Sequence, residues 1–360
     1  MTAVRLPARH QFRLIDILKV VAAQCIVLHH FSAYGPLSEA ASDALPDVMA
    51  WLYDNARMAV QVFLVVAGYL AARSFALNRH PVSTLFTLVR QRYLRLALPF
   101  VVAVLLTVVC AAIARPFLDA DVVPAVPTTL QFLAHATLLH SVLDVESLSA
   151  GVWYVAIDFQ LYAALAVLIW LSRGRRWLSL TLVTVLCIAS ITWFNTDAAW
   201  DVWALYFFGA YGLGALAWWA GLRARHGALA AFLYASALGC GLASLIVDFR
   251  ERLAIAISVS ALLAGFGSWQ LRLPRRLDAW IAQLSRTSYA LFLVHYSVLL
   301  LANAAWAELG WEDAYAALLF MGASWFAALG LSYLFHRQVE RRIDQWRTDP
   351  QPASIPQAAK

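Results

Sequence analysis

Residues 94–114 read LRLALPFVVAVLLTVVCAAIA, an uninterrupted apolar stretch in which Arg95 is the only charged residue. A helix that crosses the hydrocarbon core of a bilayer needs about 20 mostly apolar residues, so this stretch is long enough to cross. The whole chain of 360 residues is 62% apolar and only 13% charged, whereas soluble domains carry about 25% charged residues. Because backbone polar groups in lipid must be satisfied within each crossing, the sequence predicts an all-α, polytopic integral membrane protein.

Similar stretches recur along the chain and predict about ten transmembrane helices. The predicted spans are 16–34, 57–77, 94–114, 151–171, 177–194, 201–221, 228–247, 253–270, 284–303 and 314–336. The stretch 128–143 is too short and too polar to cross, and we interpret it as an interfacial or re-entrant helix. Residues 1–343 are therefore predicted to form one transmembrane domain, and the polar residues 344–360 a short disordered cytoplasmic tail.

The charged residues are divided between alternate loops. Of the 27 Lys and Arg, all but Arg57, Arg115, Arg250 and Arg252 fall in one set of loops together with both termini, whereas 15 of the 21 acidic residues fall in the other set. Cytoplasmic loops carry an excess of Lys and Arg, so both termini are predicted to be cytoplasmic. The net charge of +6 is therefore not spread over one surface but follows from the topology, so no nucleic-acid partner is expected, and the expected surroundings are membrane lipids.

The cysteine and histidine pattern gives no metal-binding signature. The four cysteines stand singly in apolar stretches without a CxxC pair, and His135 and His140 have no further ligands near them in the sequence. We therefore predict neither a zinc site nor a disulfide framework.

Ionisable residues in the first predicted span, DILKVVAAQCIVLHHF (16–31), lie on one helix face. Lys19 and His30 are eleven positions apart, so their side chains point about 20° apart and lie roughly 16 Å apart along the axis. Asp16 lies one turn before Lys19 and can form an ion pair with it. Such residues inside a membrane indicate a functional site, although a lysine that snorkels to the interface would need no function.

Three other places carry polar groups in or beside predicted spans. Asp158 lies about two turns into the fourth span, where it could act on an acceptor or only bond a neighbouring helix. His295 lies in the ninth span, where a single histidine is more often a packing residue. Arg92 and Arg95 form a basic cluster that could bind a phosphorylated ligand or only anchor the chain to anionic lipid.

Taken together, these segments resemble the acyltransferase-3 family of bacterial integral membrane O-acyltransferases over nearly the whole chain. The matching elements are Asp16, Lys19 and His30 with the D-G-L-R…H opening, VFLVVAGYL (62–70) with F-F-V-L-S-G-F-L, RQRYLRLALP (90–99) with R-x-x-R-I-x-P, WYVAIDFQLY (153–162) with W-x-L-x-x-E-x-x-F-Y, and SRTSYALFLVHYSVL (285–299) with I-S-Y-x-x-Y-L-x-H. Two positions depart from the pattern, because Asp158 stands where the family usually has Glu and Ala67 where it has Ser.

The resemblance implies a multi-pass enzyme of the bacterial inner membrane that transfers an acyl group, most simply acetyl, from cytoplasmic acyl-CoA. The acceptor it implies is a hydroxyl of a cell-surface or periplasmic glycan or of a lipid-linked sugar, and acyl-CoA is a donor substrate rather than a permanently bound cofactor. The implied catalytic residues are His30 and Asp158, the donor-binding residues are Asp16, Lys19, Arg92 and Arg95, and the substrate-binding residues are Trp153, Tyr162, Tyr289 and His295.

A different class of function also fits intramembrane charges. A proton-coupled transporter or flippase of a glycan or lipid precursor would place ionisable residues inside its spans. Such proteins typically carry inverted repeats and paired helices broken by Gly or Pro, and neither feature is visible in this sequence.

Overall fold

The computed structural model describes residues 13–77, 84–120, 122–221, 223–267, 269 and 271–348. These residues form helices and connecting turns with no β-strand among them, which confirms the all-α prediction. The α-helices are α1 (Arg13–Ala33), α2 (Pro36–Ala44), α3 (Pro46–Asn55), α4 (Val60–Leu77), α5 (Thr84–Ala114), α6 (Thr129–Ala136), α7 (Val152–Leu171), α8 (Arg176–Thr192), α9 (Ala204–Gly221), α10 (Arg223–Val247), α11 (Glu251–Phe266), α12 (Arg275–Leu309), α13 (Ala314–Phe335) and α14 (Arg341–Thr348).

Within the described residues, eight helical segments are long and apolar enough to cross a membrane. They cover eight of the ten predicted spans, and the protein is a multi-pass membrane protein. The other two predicted spans correspond to α9, which is buried along most of its length, and to α11, which has only 16 residues. The count of ten and the cytoplasmic placement of the termini stay predictions.

Helix α5 illustrates how these helices meet lipid. Its large apolar side chains at Val102, Leu105, Val109 and Ile113 are exposed and recur at intervals of three or four residues, so they share one face. The opposite face, which includes Phe100, is buried in the bundle. An exposed apolar stripe of this kind would be unstable in water and fits a hydrocarbon environment.

Helices α4 and α9 pack backbone to backbone through two glycines. A Cβ atom at Gly68 would overlap the carbonyl oxygen of Tyr211, and one at Gly214 would overlap the carbonyl oxygen of Val65. Small residues allow such close approach, which is a main source of helix association in membranes. The glycine of the sequence element VFLVVAGYL is therefore a packing residue.

Replacing Gly68 by Val is expected to separate α4 from α9 and to lower the melting temperature of the detergent-purified protein, because overpacking a tight contact costs about 1–3 kcal/mol or more. Gly239→Ala is the matched control, since a Cβ atom at this exposed helical glycine would meet nothing within 4 Å. Equal melting temperatures for the two variants would contradict the assigned contact.

Helices α1 and α12 lie side by side and run in the same direction. The contacts between them, or just beyond their ends, join residues separated by a nearly constant 265–269 positions: Arg13 with Asp278, Asp16 and Lys19 with Ser285, His30 with His295, and Leu37 with Asn303. A constant offset of this kind requires parallel helices. The first and ninth predicted spans must likewise run in the same direction if the chain crosses ten times.

Two short segments refine the predicted boundaries. Within the stretch 128–143, α6 is a helix of eight residues that begins with a capping box between Thr128 and Gln131. The predicted disordered tail from residue 344 is wrong for its first part, because α14 continues to Thr348 and Arg347 donates a hydrogen bond to the carbonyl of Gln91. Residues 349–360 lie outside the described part of the chain.

Candidate functional site

One cavity of about 490 Å³ contains the imidazole of His30. We call it the histidine cavity, and loop residues within 122–124 and 146–151 form part of its wall. His30 is only 7% exposed, so its ring faces the interior of the bundle and not lipid. The His30 face of α1 therefore points into the bundle.

The ring of His30 is hydrogen-bonded to the ring of His295. Nδ1 of His30 lies 2.6 Å from Nε2 of His295, and the two ring planes are within 6° of each other. His29 also lines the cavity, but it does not contact His295, and its Nδ1 lies 3.3 Å from the carbonyl oxygen of Leu52. His295 was expected to contact substrate, whereas in the structure it is hydrogen-bonded to His30, the candidate catalytic base.

Tyr34 borders the same cavity just beyond the end of α1. Its ring centroid lies 5.8 Å from those of both His30 and Tyr296. Burial raises the pKa of the Tyr34 phenol above its ordinary value, and the nearby Tyr53 raises it further. Tyr34 therefore stays protonated at neutral pH and offers the cavity a neutral hydroxyl group.

A second cavity, of about 530 Å³, is lined by residues nearer the other end of α1. We call it the cationic cavity, because five basic side chains and only three carboxylates line it. The basic residues are Lys19, Arg92, Arg95, Arg286 and Arg347, and the acidic residues are Asp158, Glu340 and Asp344. The structure thus brings together the three basic residues that the sequence singled out.

Lys19 and Arg95 carry charges that no carboxylate neutralises directly. Neither makes an ion pair within the described residues. The expected ion pair between Asp16 and Lys19 is wrong: Asp16 lies 3.1 Å from Arg13, and Lys19 Nζ donates instead to the backbone oxygen of Ser285 at 2.9 Å. Because Ser285 Oγ also donates to Asp16 at 2.7 Å, Asp16 reaches Lys19 only through the serine.

Asp158 lies in the cationic cavity and not beside the imidazole. Its Oδ2 is 2.5 Å from Nη2 of Arg92, and the guanidinium carbon of Arg92 lies 5.3 Å from the centre of the Tyr162 ring. Asp158 is therefore not placed to orient the imidazole of His30 directly, and its action on an acceptor stays a prediction. Arg92 of α5 fixes the position of the Asp158 side chain through this ion pair.

Two aromatic residues separate the cavities. Tyr154 and Phe292 line both of them, and their ring centroids are 5.4 Å apart in an edge-to-face contact. Gly151, with φ +77°, precedes α7 at this place, and a Cβ there would lie 3.2 Å from Phe292 and 3.4 Å from His30. Sequence reasoning missed all three residues, since aromatic and glycine residues are frequent throughout the chain.

The remaining predicted substrate contacts divide between the two cavities. Trp153 lines the histidine cavity, where its ring stacks on Phe207. Tyr162 and Tyr289 line the cationic cavity, and Tyr289 donates a hydrogen bond to the backbone oxygen of Leu96 at 3.0 Å. The side chains expected to contact one substrate therefore lie on both sides of the aromatic partition.

His135 and His140 pack as a stacked pair away from both cavities, with ring centroids 4.3 Å apart. Burial, and then the neighbouring His135, lower the pKa of His140 to about 3, so its ring is neutral. Among the described residues, no group of three or more His, Cys, Asp or Glu side chains is arranged to hold a metal ion.

Comparison with known proteins identifies a family for nearly the whole chain. A family model described as an acyltransferase domain matches residues 12–337, which is nearly the whole chain. No curated protein and no solved structure matches it. The match covers every residue that lines the histidine cavity, and Tyr154 and Phe292, which line both cavities. The cationic cavity is matched in part, because Glu340, Ile343, Asp344 and Arg347 lie beyond residue 337. The chain belongs to the acyltransferase-3 family and is a membrane acyltransferase.

Proposed function

We propose that the protein transfers an acyl group from acyl-CoA, bound in the cationic cavity, to a hydroxyl group of a sugar acceptor in the histidine cavity. The proposal rests on two cavities along α1, one lined by Lys19 and Arg95 and the other by the buried imidazole of His30, with Tyr154 and Phe292 in the walls of both. Family membership favours this reading over the transporter or flippase, which would make no covalent product.

The cationic cavity suits the charged end of the donor. Phosphate groups are bound in proteins by Lys and by the planar fork of Arg, and Lys19 and Arg95 have no carboxylate partner within the described residues. Nε of Arg92 and Oε1 of Glu340 are also buried without a protein partner in this part of the chain. The phosphate oxygens of a nucleotide can accept a hydrogen bond from Arg92, and its amino and hydroxyl groups can donate to Glu340.

The distance between the two cavities matches a flexible thioester arm. Lys19 and His30 lie roughly 16 Å apart along α1, so an arm anchored near Lys19 can present its thioester to His30 past the aromatic partition. With the termini in the cytoplasm, the cationic cavity faces the cytoplasm and the histidine cavity faces the periplasm. This arrangement suits an enzyme of the bacterial inner membrane whose acceptor lies on the periplasmic side.

The chemistry follows from the position of His30. The acceptor hydroxyl oxygen attacks the thioester carbonyl carbon while its proton passes to the imidazole, which is a suitable general base near neutral pH. The C–S bond then breaks, and the imidazolium returns the proton to the departing thiolate. The products are the O-acyl sugar and the free thiol of CoA.

The test uses purified protein in lipid nanodiscs with acetyl-CoA labelled in the acetyl group and envelope glycan isolated from cells that lack the gene. Base-labile label is expected to appear on the glycan together with an equal amount of free thiol. Label that stays on CoA, with no acylated product, would contradict the proposed function.

Lys19→Met is expected to raise the KM for acetyl-CoA by about 10- to 100-fold, which corresponds to the 1.5–3 kcal/mol of a hydrogen bond to a charged group. Lys19→Arg should stay much closer to the unmodified enzyme because it keeps the charge. Arg276→Met is the control, since Arg276 is exposed and lies outside the cavity lining. Equal KM values for the Lys19→Met and Arg276→Met variants would argue against donor binding by Lys19.

A further inference from the structure

A backbone carbonyl determines which nitrogen of His295 carries a proton. Nδ1 of His295 lies 3.1 Å from the carbonyl oxygen of Leu291, one turn earlier on α12. A carbonyl oxygen can only accept a hydrogen bond, so Nδ1 of His295 must be the protonated nitrogen. In a neutral imidazole the other nitrogen is then a bare acceptor, and here that nitrogen is Nε2.

The contact with His30 then fixes the proton on His30 as well. Its Nδ1 lies 2.6 Å from Nε2 of His295, and a hydrogen bond of this length needs one proton between the two atoms. Because Nε2 of His295 has none, Nδ1 of His30 must donate. The ring planes are within 6° of each other, and the ring centroids are 4.9 Å apart, which is close to the largest separation that a 2.6 Å contact between ring nitrogens allows. The rings are therefore nearly coplanar, and the bond lies in the planes of both rings, where the lone pair and the N–H bond point.

A doubly protonated His295 would fit this contact poorly. The side chain is fully buried, and no carboxylate contacts it within the described residues. A full charge in such a place would lose its hydration without gaining a partner of opposite sign. When both rings are neutral, His295 donates its Nδ1 proton to the Leu291 carbonyl and accepts the Nδ1 proton of His30 at Nε2, so both of its contacts are hydrogen bonds.

We propose that His295 is a positioning residue that holds His30 in the tautomer with its proton on Nδ1. Nε2 of His30 is then free to accept a proton, and no hydrogen bond from the described residues occupies it. The ring lines the histidine cavity, where the acceptor hydroxyl would arrive. This role rests on the proposed function, in which His30 is the general base.

During transfer, His295 would also stabilise the charge on His30. When Nε2 of His30 takes the proton of the acceptor hydroxyl, the resulting imidazolium keeps its Nδ1 proton directed at the lone pair of His295. After the C–S bond breaks, Nε2 gives its proton to the thiolate and His30 returns to its starting tautomer. His295 keeps its own Nδ1 proton on the Leu291 carbonyl throughout, so no net proton is gained or lost.

Nitrogen-15 NMR of protein labelled at histidine and held in lipid bilayers measures the tautomer directly, because protonated and bare ring nitrogens resonate in separate regions. Subtracting the spectrum of the His30→Gln variant assigns the His30 signals. We expect a protonated Nδ1 and a bare Nε2 for His30 in the unmodified protein. A protonated Nε2 on neutral His30 would overturn the proposal.

Two variants separate positioning from packing. In His295→Gln the amide oxygen can still accept the proton of His30 Nδ1, so the tautomer should be unchanged. In His295→Leu the acceptor is lost, and the His30 Nε2 signal should move toward the protonated region. An unchanged His30 spectrum in the folded His295→Leu variant would also overturn the proposal.

Acyl transfer from acetyl-CoA provides the second readout. His295→Leu should reduce turnover by about 100-fold or more, since the wrong tautomer of a catalytic histidine costs about 10⁴ in serine proteases, and His295→Gln should recover at least 10-fold of that loss. Two inactive variants would reject the positioning role, provided that both fold. The NMR result needs neither donor nor acceptor, so it stands or falls separately from the proposed function.

Discussion

His30→Gln is expected to abolish acyl transfer almost completely, with a loss of turnover of about 10³-fold. A positioned general base contributes typically 10²–10⁴-fold, and glutamine cannot accept a proton at neutral pH. The variant should still fold, because the amide replaces the imidazole at a site that borders a cavity. Turnover is measured as labelled acetyl on the glycan, and folding as the melting temperature in detergent.

His29→Gln is the matched control for this experiment. It makes the same substitution at the adjacent histidine, which lines the same cavity but whose Nδ1 contacts the carbonyl of Leu52 instead of His295. Its loss of turnover should be at least 10-fold smaller than that of His30→Gln. Comparable losses in the two variants would remove His30 from the role of base, and a residual activity in His30→Gln close to that of the unmodified enzyme would do the same.

Asp158→Asn is expected to destabilise the protein by about 3–5 kcal/mol, the cost of removing one partner of a buried ion pair. Asp158 is only 3% exposed, and its carboxylate lies 2.5 Å from Arg92. Without the negative charge, the Arg92 guanidinium, whose side chain is only 25% exposed, stays beside the Tyr162 ring with no carboxylate partner. A fall in melting temperature should accompany the loss of acyl transfer.

Two further variants identify the origin of that effect. Asp248→Asn removes the exposed acidic partner of Arg250, whose carboxylate is 3.6 Å from the guanidinium, and should cost less than about 1 kcal/mol. Asp158→Glu restores the residue that the family usually carries here and should keep both stability and turnover. If Asp158→Asn melted like the unmodified protein yet lost all turnover, Asp158 would act in catalysis and not as a structural partner of Arg92.

The inward-facing stripe of α1 could be predicted because it depends only on local geometry. Helical periodicity fixes the angle between Lys19 and His30, and the expense of polar groups in lipid requires both to face the bundle. The structure agrees for both residues, since each lines a cavity. The basic cluster around Arg92 and Arg95 was also predictable, because its residues are neighbours in sequence.

The partners of these side chains were not predictable in the same way. The sequence left open whether Asp158 acts on an acceptor or bonds a neighbouring helix, because depth along one helix does not show which neighbouring helix the side chain faces. Arg92 reaches it from another helix and fixes its position. His295 was judged as an isolated histidine, because 265 residues separate it from His30.

By itself, the sequence determined that this is an all-α membrane protein of the acyltransferase-3 family with a lysine and a histidine on one inward face of its first helix. These features follow from apolar length, helical periodicity and short motifs, each of which acts within one helix. Only the tertiary structure decided that Tyr154 and Phe292 divide the interior into two cavities and that His295 meets His30. Those features depend on how α1, α7 and α12 pack together, and packing between helices distant in the chain leaves no periodic trace in a single sequence.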